Sequence, residues 1–201
     1  MITLYDMSLS GNCHKVRLLL GLLVLPYQIQ AVDLRGGEQR SPEHLQRNPF
    51  GQVPVLDDEG LIIRDSQAIL VYLAKRYGGE KWWPDDAYQL AQIAAWLSTA
   101  ANEVANGPAK LRVHHKFGSP IDTAAAGHTA DKVLGIIDRH LQNQDWLVGD
   151  SVSIADIAVY PYLALAPEGG LDIETYSNTL AWFQRLRALP GYVAMPGMWQ
   201  A

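Results

Sequence analysis

Residues 47–68 read Arg47-Asn48-Pro49-Phe50-Gly51-Gln52-Val53-Pro54-Val55-Leu56-Asp57-Asp58-Glu59-Gly60-Leu61-Ile62-Ile63-Arg64-Asp65-Ser66-Gln67-Ala68, and this order decides the fold. Asn48-Pro49 and Gly51 are turn residues. Val53-Pro54-Val55-Leu56 reads as a short strand entered through a proline, and Asp57-Asp58-Glu59-Gly60 reverses the chain into Leu61-Ile62-Ile63. The result is a β-hairpin, followed at once by Asp65-Ser66, two preferred helix-capping residues. Proline has no N–H to give a ladder, so Pro54 belongs at the start of its strand and leaves the main chain of Val53 free to bond an extended ligand. The helix opened at Ser66 offers orphan N–H groups and a positive dipole end, where a carboxylate could dock without lysine or arginine. Plain capping accounts for the same two residues with no ligand at all.

Upstream, Ile2-Thr3-Leu4-Tyr5 is a first strand, and the turn Ser8-Leu9-Ser10-Gly11-Asn12 delivers the chain into a helix from about Cys13 to Leu23. Val24-Leu25-Pro26 stops it, and Tyr27-Gln28-Ile29-Gln30-Ala31 alternates at the strand period. Ser41-Pro42-Glu43 opens a short helix that Asn48-Pro49 closes. With the hairpin and a helix from Ser66 to Tyr77, whose Ala68, Ile69, Tyr72 and Leu73 share a face, the order is βαβαββα.

Downstream, Glu80 to Asp86 reads as a linker, and no convincing strand follows it. Tyr88–Asn106 is an alanine-rich helix stopped by Gly107-Pro108, and Asp122–Asn143 is a second, with Val133, Leu134, Ile137 and Leu141 inward. Ser153 and Asp156 form a capping arrangement before the apolar run Ile157 to Leu165, which organises the fold and does no chemistry. A last helix runs from about Asn178 to Leu189. The expected architecture is therefore an α/β domain over residues 1–79, a linker over 80–86 and an all-α domain over 87–201.

The 201 residues, 48% of them hydrophobic, suffice for well-formed cores. A net charge of −5 without a Lys/Arg cluster gives no footprint for nucleic acid. The single cysteine, Cys13, excludes an internal disulfide framework and fits a reducing compartment, so the cytoplasm is expected. The apolar run Leu18 to Leu25 is far short of the roughly 20 residues of a membrane span, and its surroundings lack a signal peptide's layout. No membrane association and no metal are expected. His114 and His115 are adjacent, so they point to different sides of a helix, and no third ligand stands at a convincing spacing.

Taken in this order and spacing, Leu4-Tyr5 with Ser10 through Arg17, Asn48-Pro49 through Leu56, Asp65-Ser66 through Tyr72, Gly149-Asp150 through Asp156, and Trp182 with Pro190-Gly191-Tyr192 resemble the cytosolic glutathione transferase superfamily. The likeness points to its serine-type classes, theta-like, zeta-like or bacterial. It spans essentially the whole chain and implies a thioredoxin-like N-terminal domain joined to an all-α domain, as a cytosolic homodimer. It implies glutathione as co-substrate, a small electrophile as second substrate and a detoxifying conjugation. By position, Pro54 matches that fold's cis-proline, and Val53 the residue whose main chain pairs with the cysteinyl amide of glutathione. Ser66 matches the holder of the γ-glutamyl carboxylate, with Asp65 before it in place of a longer Glu or Gln. Gln39 and Gln52 fall at the glycyl carboxylate, neither of them charged. Ser10 matches the hydroxyl that activates the thiol, with Asn12 or the turn's amides as possible assistants and Tyr5 read as a strand residue.

Ser10-Gly11-Asn12-Cys13 stands where a thioredoxin carries Cys-x-x-Cys, with serine for the first cysteine, which argues against dithiol chemistry by the protein itself. Cys13 reads as a packed thiol, the rival reading being a mixed disulfide with glutathione. His114-His115-Lys116 reads as a solvated basic corner or the border of a second-substrate pocket. The tryptophans Trp82, Trp83, Trp96, Trp146, Trp182 and Trp199 read as packing residues, with Trp199 the one among them best placed for a pocket lid. The alternatives to conjugation are a non-catalytic interaction module of the same fold, or a glutathione-dependent isomerase, dehalogenase or peroxidase.

Overall fold

A computed structural model describes residues 1–200. The N-terminal half holds one four-stranded sheet of β1 (Ile2–Asp6), β2 (Tyr27–Ala31), β3 (Val55–Asp58) and β4 (Leu61–Arg64), in the order β2-β1-β3-β4. β1 and β2 run parallel in register Ile2↔Tyr27, while β1/β3 and β3/β4 are antiparallel. The parallel pair needs a crossover, supplied by α1 (Gly11–Leu22), and the antiparallel pair needs only a tight turn. The short α2 (Pro42–Arg47) starts at Ser41, whose hydroxyl accepts the His44 N–H, and α3 (Ser66–Leu73) follows the hairpin. This is the βαβαββα order expected from the sequence.

The hairpin is shifted by two residues from its sequence reading. β3 begins at Val55, directly after the cis Val53-Pro54 peptide. It continues through Asp57-Asp58 because the reversal needs only Glu59 and Gly60, both at positive φ (55° and 93°), the geometry of a two-residue turn between twisted strands. α3 is also shorter than expected. Its regular part stops at Leu73 and one π-turn, Ala74–Gly78, completes it; the buried face is Ile69, Leu70, Leu73 and Ala74, with Ala68 in solvent.

Beyond residue 79 the described chain is helical: α4 (Ala87–Thr99), α5 (Lys110–Phe117), α6 (Thr123–His140), α7 (Ile154–Ala164) and α8 (Ser177–Arg187). Gly107-Pro108 does not stop a helix there. The chain passes from α4 to α5 through a π-helical segment, Ala100–Ala109, whose wider turn absorbs the proline's missing N–H. Glycine is required at 107 because α6 crosses against it: an added Cβ would lie 2.8 Å from the Ala130 nitrogen.

α7 is the centre of this half, and all eleven of its residues are buried. Its N-terminus is the Ser153/Asp156 capping box expected from the sequence, in which the Ser153 side chain caps the Asp156 main chain and also takes the Ala155 N–H, while the Asp156 carboxylate reaches back to the Ser153 N–H. The Asp156 carboxylate accepts from Ser153 N, Leu147 N and Trp182 Nε1 at 2.9, 3.0 and 2.9 Å, so a wholly buried acid ties α7 to its preceding loop and to α8. α7 packs on α1 as well as on α4, which joins the two halves along one continuous core. No described helix is long and apolar enough to cross a membrane.

Candidate active site

The first wall of the site is the loop from β1 to α1. Asp6 at the end of β1 and Arg17 on α1 form a buried ion pair, and Arg17 Nη2 also donates to the Ser8 carbonyl at 2.9 Å. The loop is thereby clamped, and the Ser10 N–H closes it onto the Met7 carbonyl at 2.8 Å. Ser10 is the N-cap of α1: its hydroxyl oxygen accepts the Cys13 N–H at 3.2 Å. That uses one of the oxygen's two lone pairs; its own O–H has no oxygen or nitrogen acceptor among the described residues, the Cys13 thiol being the neighbour within its reach.

The second wall is the segment before β3. The Gln52 carbonyl accepts from His44 Nε2 at 3.0 Å and Asn48 Nδ2 at 2.9 Å, and a carbonyl only accepts, so His44 carries its proton on Nε2. Held there, the chain enters the cis Val53-Pro54 bond with Pro54 buried behind it. Neither the N–H nor the C=O of Val53 has a partner among the described residues, so the main-chain edge expected from the sequence stands open.

The third part is the start of α3. Asp65 sits at φ 72°, a strained conformation for a non-glycine residue, and its Oδ1 accepts the N–H groups of Gln67 and Ala68 at 2.9 and 3.1 Å. The Asp65 carbonyl accepts from Ile69. In this first turn the N–H groups of Gln67 and Ala68 are taken by the cap, whereas that of Ser66 stays open, beside a Ser66 hydroxyl that also lacks a partner among the described residues. One buried residue thus carries two unpaired donors at the start of α3.

Between the halves runs a cleft of about 800 Å³. Ser10, Asn12, Gln39, Gln52 and Val53 line it from the N-terminal side, and Arg112, Val113, Phe117, Ser119 and Tyr162 from the helical side. Of the expected site residues, Pro54 lies behind this wall, and Asp65 and Ser66 are outside its lining at the N-terminus of α3. Gln39 donates to the Leu34 carbonyl at 3.3 Å, and its amide oxygen is buried without a partner. Among the described residues no group of three or more His, Cys, Asp or Glu could hold a metal ion.

Charges and thiols sort themselves by burial. Cys13 is fully buried, and removal from water, with the Asp6 charge adding to it, pushes its pKa up to about 12; this favours the packed thiol over a mixed disulfide. Burial likewise pushes Tyr162 up to about 12, so it remains a phenol and no base. Lys15 is driven down to about 7 by burial, the charge of Asp65 opposing the shift, and its ammonium lies 5.5 Å from the Tyr162 ring centre.

The sequence reading did not single out Arg35, Arg112, Phe117 or Tyr162 as cleft residues. Arg112 and Phe117 lie on the helical stretch that carries His114-His115-Lys116, but those three are occupied elsewhere or outside the lining: Lys116 pairs with Glu168, and His114 Nδ1 bonds the Ser119 carbonyl. Trp199 is no lid. It packs on Phe183, and its ring N–H donates to Glu174 at 2.6 Å, away from the cleft.

Residues 4–81 match the family model for the glutathione S-transferase N-terminal domain, and residues 110–190 that for the C-terminal domain. The chain belongs to the glutathione S-transferase family. Glutathione S-transferase hmp2 of Hypomyces subiculosus is 35% identical to this family member over 203 residues, 94% of each chain. Among solved structures, a glutathione S-transferase from Pseudomonas fluorescens superposes with a TM-score of 0.91 at 34% identity, covering 97% of this chain and 98% of its own. The glutathione transferase URE2P8 from Phanerochaete chrysosporium, solved with oxidized glutathione, gives 0.85 at 26% identity, covering 94% of this chain and 90% of its own. These likenesses run through both halves of the chain.

Proposed function

We propose that this glutathione transferase binds glutathione along Val53 and Ser66, ionises its thiol at Ser10 and adds the sulfur to a small electrophile in the helical half of the cleft. The observation that carries the reading is the Ser10 hydroxyl on the cleft, whose oxygen is engaged by the helix and whose proton has no oxygen or nitrogen acceptor among the described residues. The Val53 main chain suits the cysteinyl amide, and the paired donors of Ser66 suit the γ-glutamyl carboxylate. The Asp65 Oδ2, unused by the cap, suits the neighbouring ammonium. Gln39, Gln52 and the cation of Arg35 suit the glycyl end.

A free thiol near pKa 8.5 is only a few per cent ionised at neutral pH, so activation needs a fall of about two units, roughly 2.7 kcal/mol. One hydrogen bond to an anion supplies about 1.5–3 kcal/mol, and the N-terminus of α1 about 0.3–1 more. The thiolate then attacks the electrophilic carbon, the carbon–sulfur bond forms, and the leaving group departs with its electron pair while the thiol's proton goes to water. This reading places the glutathione-binding domain at residues 1–79, a linker at 80–86 and the electrophile-binding domain at 87–201.

A cytoplasmic homodimer with a detoxifying role completes the reading. The dimer rests on the family and on exposed Phe50, Leu61 and Ile62, not on the tryptophans of the linker, since Trp82 is buried inside the chain against Gly78. A calorimetric titration with glutathione followed by a panel of electrophiles tests the whole. Saturable heat and conjugation support it, and no heat at millimolar glutathione would return the chain to the interaction-module reading. Sedimentation at twice 22.2 kDa supports the dimer, and a monomer at micromolar concentration removes it.

A further inference from the structure

Arg112 reaches the cleft wall from α5 with only part of its guanidinium in use. Nε donates to Glu168 Oε2 at 2.7 Å, and Nη1 donates to the Leu9 carbonyl at 2.9 Å, one residue before Ser10. The third nitrogen, Nη2, is buried and has no partner among the described residues. Arginine cannot relieve this by losing its proton, and an unmet buried donor is costlier on a charged group than on a neutral one. A tether between the two halves needs only Nε and Nη1, so the open nitrogen is left over from that task.

The surrounding charges do not cancel it. Glu168 is shared by Arg112 and Lys116, which leaves one net positive charge on the three. The carboxylate is held in place from behind, because the main chain at Gly197 closes on it so tightly that no side chain fits there. Elsewhere in the cleft, Arg35 faces a single acid, Asp33, whose Oδ1 already accepts the N–H groups of Arg35 and Gly36. Phe117, exposed at the end of α5, lays its ring over the Arg112 guanidinium at 5.8 Å.

Position separates this donor from the peptide's own contacts. Gln39, Gln52 and Val53 line the cleft from the N-terminal half and Arg112 from the helical half, the half that the conjugation reading gives to the second substrate. The geometry points to Arg112 Nη2 as a subsite for an oxyanion on the electrophile, so that aryl halides bearing a carboxylate on the ring are preferred over their uncharged counterparts. The inference rests on the conjugation reading. In the step itself the thiolate sulfur bonds to carbon, halide leaves with the carbon–halogen electron pair, and the carboxylate is unchanged.

The test compares 4-chloro-3-nitrobenzoate with 4-chloro-3-nitrobenzamide, each rate divided by its uncatalysed rate. The acid should be favoured at least about tenfold in kcat/KM, as a charge-assisted hydrogen bond provides. The ratio should approach one in Arg112→Met and be partly kept in Arg112→Lys. A ratio near one in the unaltered protein overturns the inference while leaving conjugation standing. So does a raised thiol pKa in Arg112→Met with the acid preference intact, which would assign the guanidinium to the thiolate. Binding gives a readout that needs neither variant nor turnover. With S-methylglutathione saturating the peptide site, 4-nitrobenzoate should bind about tenfold tighter than 4-nitrobenzamide. Equal or weaker binding of the acid overturns the subsite, whereas the expected preference without turnover of either chloro compound upholds it and sinks the conjugation reading instead.

Discussion

Ser10 Oγ accepts the main-chain N–H of Cys13 at 3.2 Å, so the hydroxyl on the cleft is also the N-cap of α1. The cap fixes the oxygen and leaves the proton to donate, which ties thiol activation to helix stability. Ser10→Ala should raise the bound thiol's pKa by at least about one unit, slow conjugation at neutral pH and cost about 1 kcal/mol of stability. Ser10→Thr keeps both functions and should stay near the parent in both. Ser8 engages Arg17 through its carbonyl alone, so Ser8→Ala should change little. Ultraviolet thiolate absorbance followed against pH decides; an unmoved pKa in Ser10→Ala hands the role to Asn12 or the main-chain amides.

Ser66 offers its N–H and its hydroxyl side by side at the start of α3, and substitution removes only the second. Ser66→Ala is therefore expected to weaken glutathione binding by about 1.5–3 kcal/mol, the range for a hydrogen bond to a charged group. Folding should be almost untouched, because the capping of α3 belongs to Asp65. Calorimetry with glutathione and a urea titration separate the two effects. Equal losses in both would make Ser66 a structural residue.

The division of labour between Asp65 and Ser66 shows what the sequence could and could not disclose. That a helix begins there was legible, since both residues are preferred caps, but which one caps depends on the positive φ of Asp65, a tertiary outcome. The hairpin was legible in the same way from proline and glycine placement around Val53 and Gly60, but the order of strands in the sheet was not. The π-helical passage through Gly107-Pro108 was not, because local propensity says stop and only the close crossing of α6 permits the chain to continue. The helical wall of the cleft was least legible. Arg112 and Phe117 carry no motif, and what makes Arg112 notable is a missing partner, which is a property of three-dimensional surroundings.

Lys15 contributes a pH dependence of unusual sign. Its pKa is about 7 in the folded chain and 10.5 when solvated, so between those values the unfolded chain holds a proton that the folded chain has released. Unfolding then takes up a proton, and stability rises with pH by up to about 1.4 kcal/mol per unit. Cys13 opposes this only above its ordinary value of 9.0, where the unfolded thiol ionises and the buried one does not. The expected gain from pH 7 to pH 9 is about 2 kcal/mol. Lys15→Met should be more stable than the parent at pH 7 and should flatten the slope; urea midpoints at both pH values measure it. A parent whose midpoint does not move would mean that Lys15 keeps its charge when folded.

Gly11 lets the helical half touch the thiol site, because the Tyr162 ring lies where a side chain would project from the start of α1. An added Cβ would fall 2.7 Å from Tyr162 Cζ and 2.8 Å from Cε1, too close for any real contact. Tyr162 has little room to retreat, being buried in the wholly packed α7 and carrying the Lys15 ammonium over its ring. Gly11→Ala must therefore push α1 and α7 apart, at a cost of about 1–3 kcal/mol for overpacking. The first turn of α1 moves with it, and Ser10 shifts relative to the Val53 edge. Conjugation should fall more steeply than glutathione binding, since Val53 and Ser66 hold the peptide while sulfur and hydroxyl lose alignment, and misplacement near 1 Å costs on the order of a hundredfold in rate. Gly11→Ala with Tyr162→Leu, which removes the clashing ring atoms, should recover part of both stability and rate. Kinetics and thermal unfolding of the single and double variants test the coupling, and strictly additive losses would show that Gly11 and Tyr162 act separately.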